Sequence, residues 1–157
     1  MSSITYRKAN QNDIQTLVDT RILFAVELKG EQPREIIDAL KIQMTDYFIK
    51  ATAANTCISF IGECDGKIAG IGSVILREQP GNLNNPSGKW GYIMNMYTLP
   101  EFRRKGICKG ILKELIEEAL KSGTTAFELH ATKEGEFVYK QDGFKIHNEP
   151  TFRKYFS

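Results

Sequence analysis

Long apolar runs are missing from this chain of 157 residues. No stretch approaches the roughly 20 apolar residues of a transmembrane helix. The opening Met1–Lys8 also lacks the apolar core that marks a signal peptide. A membrane partner is therefore not expected, and a cytoplasmic location is. Cysteine is scarce: Cys57, Cys64 and Cys108 make an odd count without paired short spacings, and neither His130 nor His147 falls at metal-ligand spacing from them. Free thiols are expected, and no metal. Charge of one sign is also lacking, because 21 Lys and Arg against 19 Asp and Glu leave a net +2. Such a balance has no polyelectrolyte pull toward nucleic acid. With 5 prolines, no repeat and no low-complexity tract, a composition 41% hydrophobic and 25% charged describes one domain over residues 1–157.

What the chain does have is a succession of short periodic segments. A strand over Ile4 to Arg7 leads to Asn10-Gln-Asn-Asp13, where Asn10 can accept from the first amides of a helix and Asp13 faces its positive end. Ile14, Leu17, Val18, Ala25 and Leu28 mark that helix up to Gly30, and Ile36, Ile37, Leu40, Met44, Tyr47 and Phe48 mark a second after Pro33. Thr56 to Glu63 and Lys67 to Arg77 predict two strands, joined by Asp65-Gly66 in a tight hairpin turn. The Asn-, Gly-, Pro- and Ser-containing stretch Gln79 to Lys89 predicts a long loop, and Trp90 to Leu99 a buried strand stopped by Pro100. A third helix starts near Gly106 with Ile107, Ile111, Leu112, Leu115, Ile116, Ala119 and Leu120 on one face, and ends around Ser122-Gly123. Thr125 to Ala131 predicts a fifth strand, Glu136 to Gln141 a short helix, and Phe144 to Ile146 and Thr151 to Phe156 two closing strands. The order β-α-α-β-β-β-α-β-α-β-β combines antiparallel hairpins with one crossover, which requires an α/β (α+β) mixed sheet covered by helices.

The sharpest chemistry lies between the fourth strand and the third helix, where Arg103, Arg104, Lys105 and Lys109 follow Leu99-Pro100-Glu101-Phe102 with no acid after Glu101. The first amides of a helix have no intrahelical acceptor and sit at the positive pole of its dipole, so an anion placed there gains hydrogen bonds and a favourable field. Arg adds planar charge-assisted donors, and Gly106 lets a phosphate approach the backbone. Basic residues at a helix start oppose the dipole, a cost that a bound anion would offset. Other glycine clusters fit less well: Gly81 and Gly88-Lys89 lack P-loop spacing, and Gly70-Ile71-Gly72 lacks the third dinucleotide glycine.

The turn Arg103-Arg-Lys-Gly106-Ile-Cys108, with Tyr139-Lys-Gln-Asp-Gly143-Phe144 downstream and the element order above, resembles the GNAT superfamily of acetyl-CoA-dependent N-acetyltransferases. Its signature at this turn is Arg/Gln-x-x-Gly-x-Gly/Ala, and Cys108 stands at the last position. The resemblance covers almost the whole chain. It implies a GNAT-like fold in which strands 4 and 5 splay apart, and acetyl-CoA as cosubstrate. The pantetheine arm would be held by main-chain groups of Met96 and Thr98. The phosphates would be held by the main chain of Arg104, Gly106, Cys108 and Lys109, with the Arg103 and Arg104 side chains nearby. It further implies that Tyr139 gives a proton to the departing thiolate; Thr132 occupies a place where the family commonly has a cofactor-binding Asn. A tyrosine with an ordinary pKa of about 10 is protonated at neutral pH and suits that task. A homodimer is also within the family's habits.

The implied reaction is direct acetyl transfer to an amine of a small molecule or peptide. A non-catalytic acyl-CoA-binding or structural module of the same fold is the alternative, and Tyr139 argues for the enzyme. For the acceptor wall the expected residues are Glu27, Glu31, Asn95 and Tyr97, strand alternation placing Asn95 and Tyr97 opposite Met94 and Met96. Residues 1 to 65 carry 7 basic and 9 acidic groups, and the remainder 14 and 10. That asymmetry favours a cationic or primary-amine acceptor near the first half. Cys108 is expected as a small side chain facing the turn rather than a nucleophile, and His130 as a structural residue.

Overall fold

Asn10 and Asp13 start the first helix together. The Asn10 side chain accepts from the Asn12 amide (2.8 Å) while the Asp13 carboxylate accepts from the Asn10 amide (2.8 Å), a reciprocal cap over a short 3-10 turn. In a computed structural model describing residues 1–156, this cap joins strand β1 (Ile4–Lys8) to helix α1 (Ile14–Lys29). Gly30, at φ 79°, ends α1, and α2 (Arg34–Ala53) follows Pro33. Strands β2 (Cys57–Cys64) and β3 (Lys67–Glu78) are joined by Asp65 (φ 50°) and Gly66 (φ 78°), the left-handed pair that a tight hairpin demands. Then come β4 (Lys89–Thr98), a 3-10 turn at Pro100–Phe102, α3 (Ile107–Leu120), β5 (Ala126–Leu129) and α4 (Glu136–Gln141).

The five strands form one mixed sheet in the order β1-β2-β3-β4-β5, antiparallel except for the β4–β5 pair. α3 covers one face with Ile107, Ile111, Leu112 and Leu115, packed with Ile58, Val74 and Ile93. α1 and α2 cover the other with Leu17, Val18, Met44 and Phe48, packed with Ile61, Ile71 and Tyr97. The sheet glycines serve this packing: a Cβ at Gly62 would lie 2.9 Å from Ile107 and one at Gly70 3.2 Å from the same side chain, so α3 rests against bare backbone. No described helix is long and apolar enough to cross a membrane.

The two closing strands do not form. Phe144–Ile146 and Thr151–Phe156 carry no strand pairing, and Phe152, Tyr155 and Phe156 are 89%, 84% and 84% exposed. Their aromatic and branched residues favour extended backbone, but propensity makes a strand only where a ladder and an apolar face receive it. The candidate partner, β5, spans four residues rather than the expected Thr125 to Ala131, because its pairing with β4 ends at Leu129.

Candidate active site

β4 changes course at Asn95, which has φ 58°. From Ile71↔Tyr97 to Ser73↔Met94, β3 advances two residues while β4 takes three, so β4 carries one extra residue as a bulge. The bulge also resets side-chain alternation: Ile93 and Met96, three apart, both pack on the α3 side, whereas Tyr97 packs on the α1 side. Pairing of β4 with β5 runs from Trp90↔Ala126 to Ile93↔Leu129 and goes no further. Beyond that point the strands separate around a cleft of about 910 Å³, walled by Met94–Thr98, Phe24 and Leu28 of α1, the turn before α3, and Tyr139 of α4.

One end of the cleft meets the basic turn. Arg103 is extended, Arg104 has φ 64° and Gly106 φ 78°. Two left-handed residues in three fold the chain tightly back into α3, and for Arg104 that backbone costs of order 1 kcal/mol or more. The first helical bond runs from the Gly110 amide to the Gly106 carbonyl (3.0 Å), so the amides of Ile107, Cys108 and Lys109 are the unpaired donors of the first turn. Arg104 and Lys109 are exposed beside them and line the cleft.

Arg103 takes the other direction. Its Nη2 donates to both carboxylate oxygens of Glu27 at 2.8 Å, its Nε donates to the Thr98 carbonyl at 3.0 Å, and its guanidinium lies 5.5 Å from the Tyr97 ring centroid. Leu99 bonds back to Ala69 of β3 (2.8 Å), so alternation turns the main-chain groups of Thr98 to the open side, where Arg103 already takes the carbonyl. Tyr97 also stacks on Phe24 (centroids 5.3 Å apart, 22° between planes). Burial, and then the Glu27 carboxylate beside it, push the Tyr97 hydroxyl above its ordinary pKa.

At the opposite wall Tyr139 is buried, its ring edge-on to Phe144 (6.1 Å), and it lines the cleft together with Cys108. Burial, with Cys108 adding to it, pushes the phenol well above its ordinary value of 10.0, and burial likewise raises the Cys108 thiol. Both are neutral at physiological pH. Thr132 begins the turn into α4, its hydroxyl accepting from the Gly135 amide (3.2 Å).

The cleft thus gathers Met96, Thr98, Arg103, Arg104, Gly106, Cys108, Lys109, Thr132, Tyr139, Glu27, Asn95 and Tyr97. Glu31 is not among them: it is exposed in the α1–α2 connection, where Gly30 has already ended the helix. His130 lines the cleft just past β5, edge-on to Tyr92 at 5.9 Å. Sequence reasoning missed Phe24, which lines the cleft, and Arg21, which does not line it but reaches Asn95 Oδ1 at 3.5 Å. The signal for Arg21 was present: with buried Leu17 and half-buried Phe24 it falls at helical spacing on the inward face of α1, where a charge is out of place.

A sequence model described as the acetyltransferase (GNAT) family matches residues 24–144. The chain is similar to a predicted acetyltransferase from Clostridium acetobutylicum, crystallised with acetyl-CoA, with 33% identity over 97% of this chain and 96% of that one and a TM-score of 0.86. A GCN5-related N-acetyltransferase from Ralstonia eutropha JMP134 shares the fold at a TM-score of 0.85, with 21% identity over 97% of this chain and 99% of that one. An aminoglycoside N-acetyltransferase solved in complex with CoA shares it at 0.75, with 18% identity and coverage of 99% and 96%. No curated protein matches the sequence.

Proposed function

Because the chain belongs to the GNAT family of acetyltransferases, we propose that it passes an acetyl group from acetyl-CoA directly to an amine of a small molecule or peptide. The whole chain acts as one domain in this reading. The observation that carries it is the junction of the open β4–β5 seam with the N-terminus of α3, which puts an unpaired strand edge and an anion-binding turn in one cleft.

The donor set fits a long, phosphate-bearing ligand. The first amides of α3, with the Arg104 side chain and Lys109 beside them, would hold the pyrophosphate, and the outward main-chain groups of Met96 and Thr98 would hold an extended arm along β4. When bound, acetyl-CoA supplies the activated thioester. Tyr139 holds a proton on its hydroxyl across neutral pH and stands at the wall where a leaving sulfur needs one. That placement favours an enzyme over a non-catalytic binder. Arg103 leaves the phosphate set in this account, because Glu27 and Thr98 hold it, and becomes part of the acceptor wall with Tyr97.

A screen of amines, amino acids, peptides and aminoglycosides for release of CoA thiol from acetyl-CoA tests the reading. Release that depends on one acceptor class supports it. Tight acetyl-CoA binding by calorimetry, with no release for any amine, would leave the non-catalytic binder.

A further inference from the structure

The neighbours of Arg21 do not explain its charge. Arg7, Arg77 and Arg103, which also pack on the sheet, each hold a carboxylate: Asp13 and Glu63, Glu128, and Glu27 in turn. Arg21 is half-buried on the inward stripe of α1, and the groups around it are Tyr92, Cys57 and Tyr47, none of them a carboxylate. Desolvation weakens its hold on its proton, while burial pushes the Tyr47 hydroxyl up to about 12 and raises the Cys57 thiol. Those groups stay neutral, and the guanidinium stands without a counter-ion. Its one acceptor is Asn95 Oδ1 at 3.5 Å, the outer limit of a hydrogen bond. Nε and Nη2 have no acceptor, yet they are not sealed from solvent; the only buried unpartnered side-chain atom among the described residues is Asn95 Nδ2.

Asn95 supplies a second, independent observation. It is 4% exposed, it lines the cleft, and it sits in the left-handed backbone of the β4 bulge. Its oxygen faces Arg21, the only orientation that avoids setting two donors against each other. Its amide nitrogen is left without a partner, and a buried donor left unpaired is destabilising. Arg21 and Asn95 together therefore offer donors and a positive charge beside the seam, with no carboxylate among the described residues to receive them.

We propose that Arg21 and Asn95 form a subsite for a carboxylate carried by the acceptor, which makes that acceptor an amine of the amino-acid type. This rests on the acetyltransferase reading above and names its substrate class. A carboxylate accepts only, and it takes the two parallel N–H groups of a guanidinium fork. Because Arg21 touches the bulge residue itself, a ligand anchored there has its amine within a few atoms of the open seam. Of the nine acidic groups in residues 1–65, five are engaged by bases: Asp13 and Glu63 by Arg7, Asp38 by Arg34, Asp46 by Lys50 and Glu27 by Arg103.

The test uses the full chain saturated with CoA, titrated by calorimetry with N-acetyl forms of the common L-amino acids and with their N-acetyl amides, which keep the side chain and lose the charge. The expected result is that at least one N-acetyl acid binds about 30-fold or more tighter than its amide, as loss of one member of a desolvated charge pair implies. Arg21→Gln removes that preference and Arg21→Lys restores part of it, with CoA affinity unchanged in both. Equal binding of acid and amide, binding of no N-acetyl acid, or an acid preference that survives Arg21→Gln overturns the subsite. Thiol release is read separately. An acid preference without release for any amine keeps the subsite and removes the transferase reading; release without an acid preference does the reverse.

Discussion

Tyr139 of α4 and Cys108 in the first turn of α3 line the same cleft, one titratable oxygen and one titratable sulfur, both kept neutral by burial. Cys108 occupies a position where the family signature has Gly or Ala, and burial raises the pKa of its thiol. A buried thiol with its pKa raised is a poor nucleophile. Its thiol also gives the phenol a neighbour that cannot take its proton at neutral pH.

Tyr139→Phe should lower kcat about 100-fold while leaving the KM for acetyl-CoA nearly unchanged, since the hydroxyl is proposed to act on the leaving group and not on binding. Burial disfavours the phenolate, so the acid form persists as pH rises past the ordinary value of 10.0. Steady-state kinetics up to about pH 9.5 should accordingly show no fall in kcat from this group. Unchanged turnover in the variant, with chemistry rate-limiting, reduces Tyr139 to a packing residue.

The two adjacent arginines should separate by ligand. Arg104→Ala should weaken acetyl-CoA binding and leave dephosphorylated pantetheine unaffected, whereas Arg103→Ala should spare the pyrophosphate contribution because its side chain is held by Glu27 and Thr98. Gly106→Val should also weaken acetyl-CoA binding. No atom lies within 4 Å of a Cβ there, so the penalty comes from φ 78° and not from crowding. Calorimetry on the three variants decides it, and equal losses from Arg103→Ala and Arg104→Ala would show that both serve the phosphates.

Most of the fold was legible because its signals are local. The Asn10/Asp13 cap, the Asp65-Gly66 turn, the stripe of α3 and the stop at Pro100 are each written in a few neighbouring residues. The closing strands were misjudged because Phe152, Tyr155 and Phe156 announce propensity only, and whether a ladder receives them depends on β5, more than twenty residues away. At the site, the basic turn was legible in outline, but the division of labour between Arg103 and Arg104 was not. It depends on Glu27, 76 positions distant, reaching across from α1. The bulge at Asn95 was hidden for a similar reason: an Asn in a strand does not declare a positive φ.

Glu27 and Arg103 should behave as one unit. Their side chains are 41% and 43% exposed, so the pair contributes no more than about 1 kcal/mol to stability, and Glu27→Gln should hardly move the melting temperature. Its effect should appear in the acceptor KM, because freeing Arg103 releases the Tyr97 wall. A double-mutant cycle with Arg103→Gln should show the double variant little worse than either single one. Fully additive losses in acceptor KM would mean that the two residues act separately.

The cap of α1 predicts an acid-sensitive step in folding stability. Arg7 holds Asp13 through Nη1 and Nη2, both at 2.9 Å, and Asp13 in turn accepts the Asn10 amide. The bond to Arg7, with smaller help from Asn10, outweighs burial and keeps the carboxyl below its ordinary value of 3.8. A carboxyl with a depressed folded pKa contributes stability that is complete above the unfolded value and is lost as pH falls through the folded one. Denaturant titrations between about pH 6 and pH 2.5 should therefore show stability declining more steeply for the wild type than for Asp13→Asn in the acid limb. At neutral pH, Asp13→Asn should already be weaker by about 1–2 kcal/mol, since the amide keeps one acceptor for the cap and gives up the ion pair. Parallel acid limbs for the two proteins would place the acid-labile group elsewhere, with Glu118, whose pKa is lowered by Lys121 and Lys8, next in line.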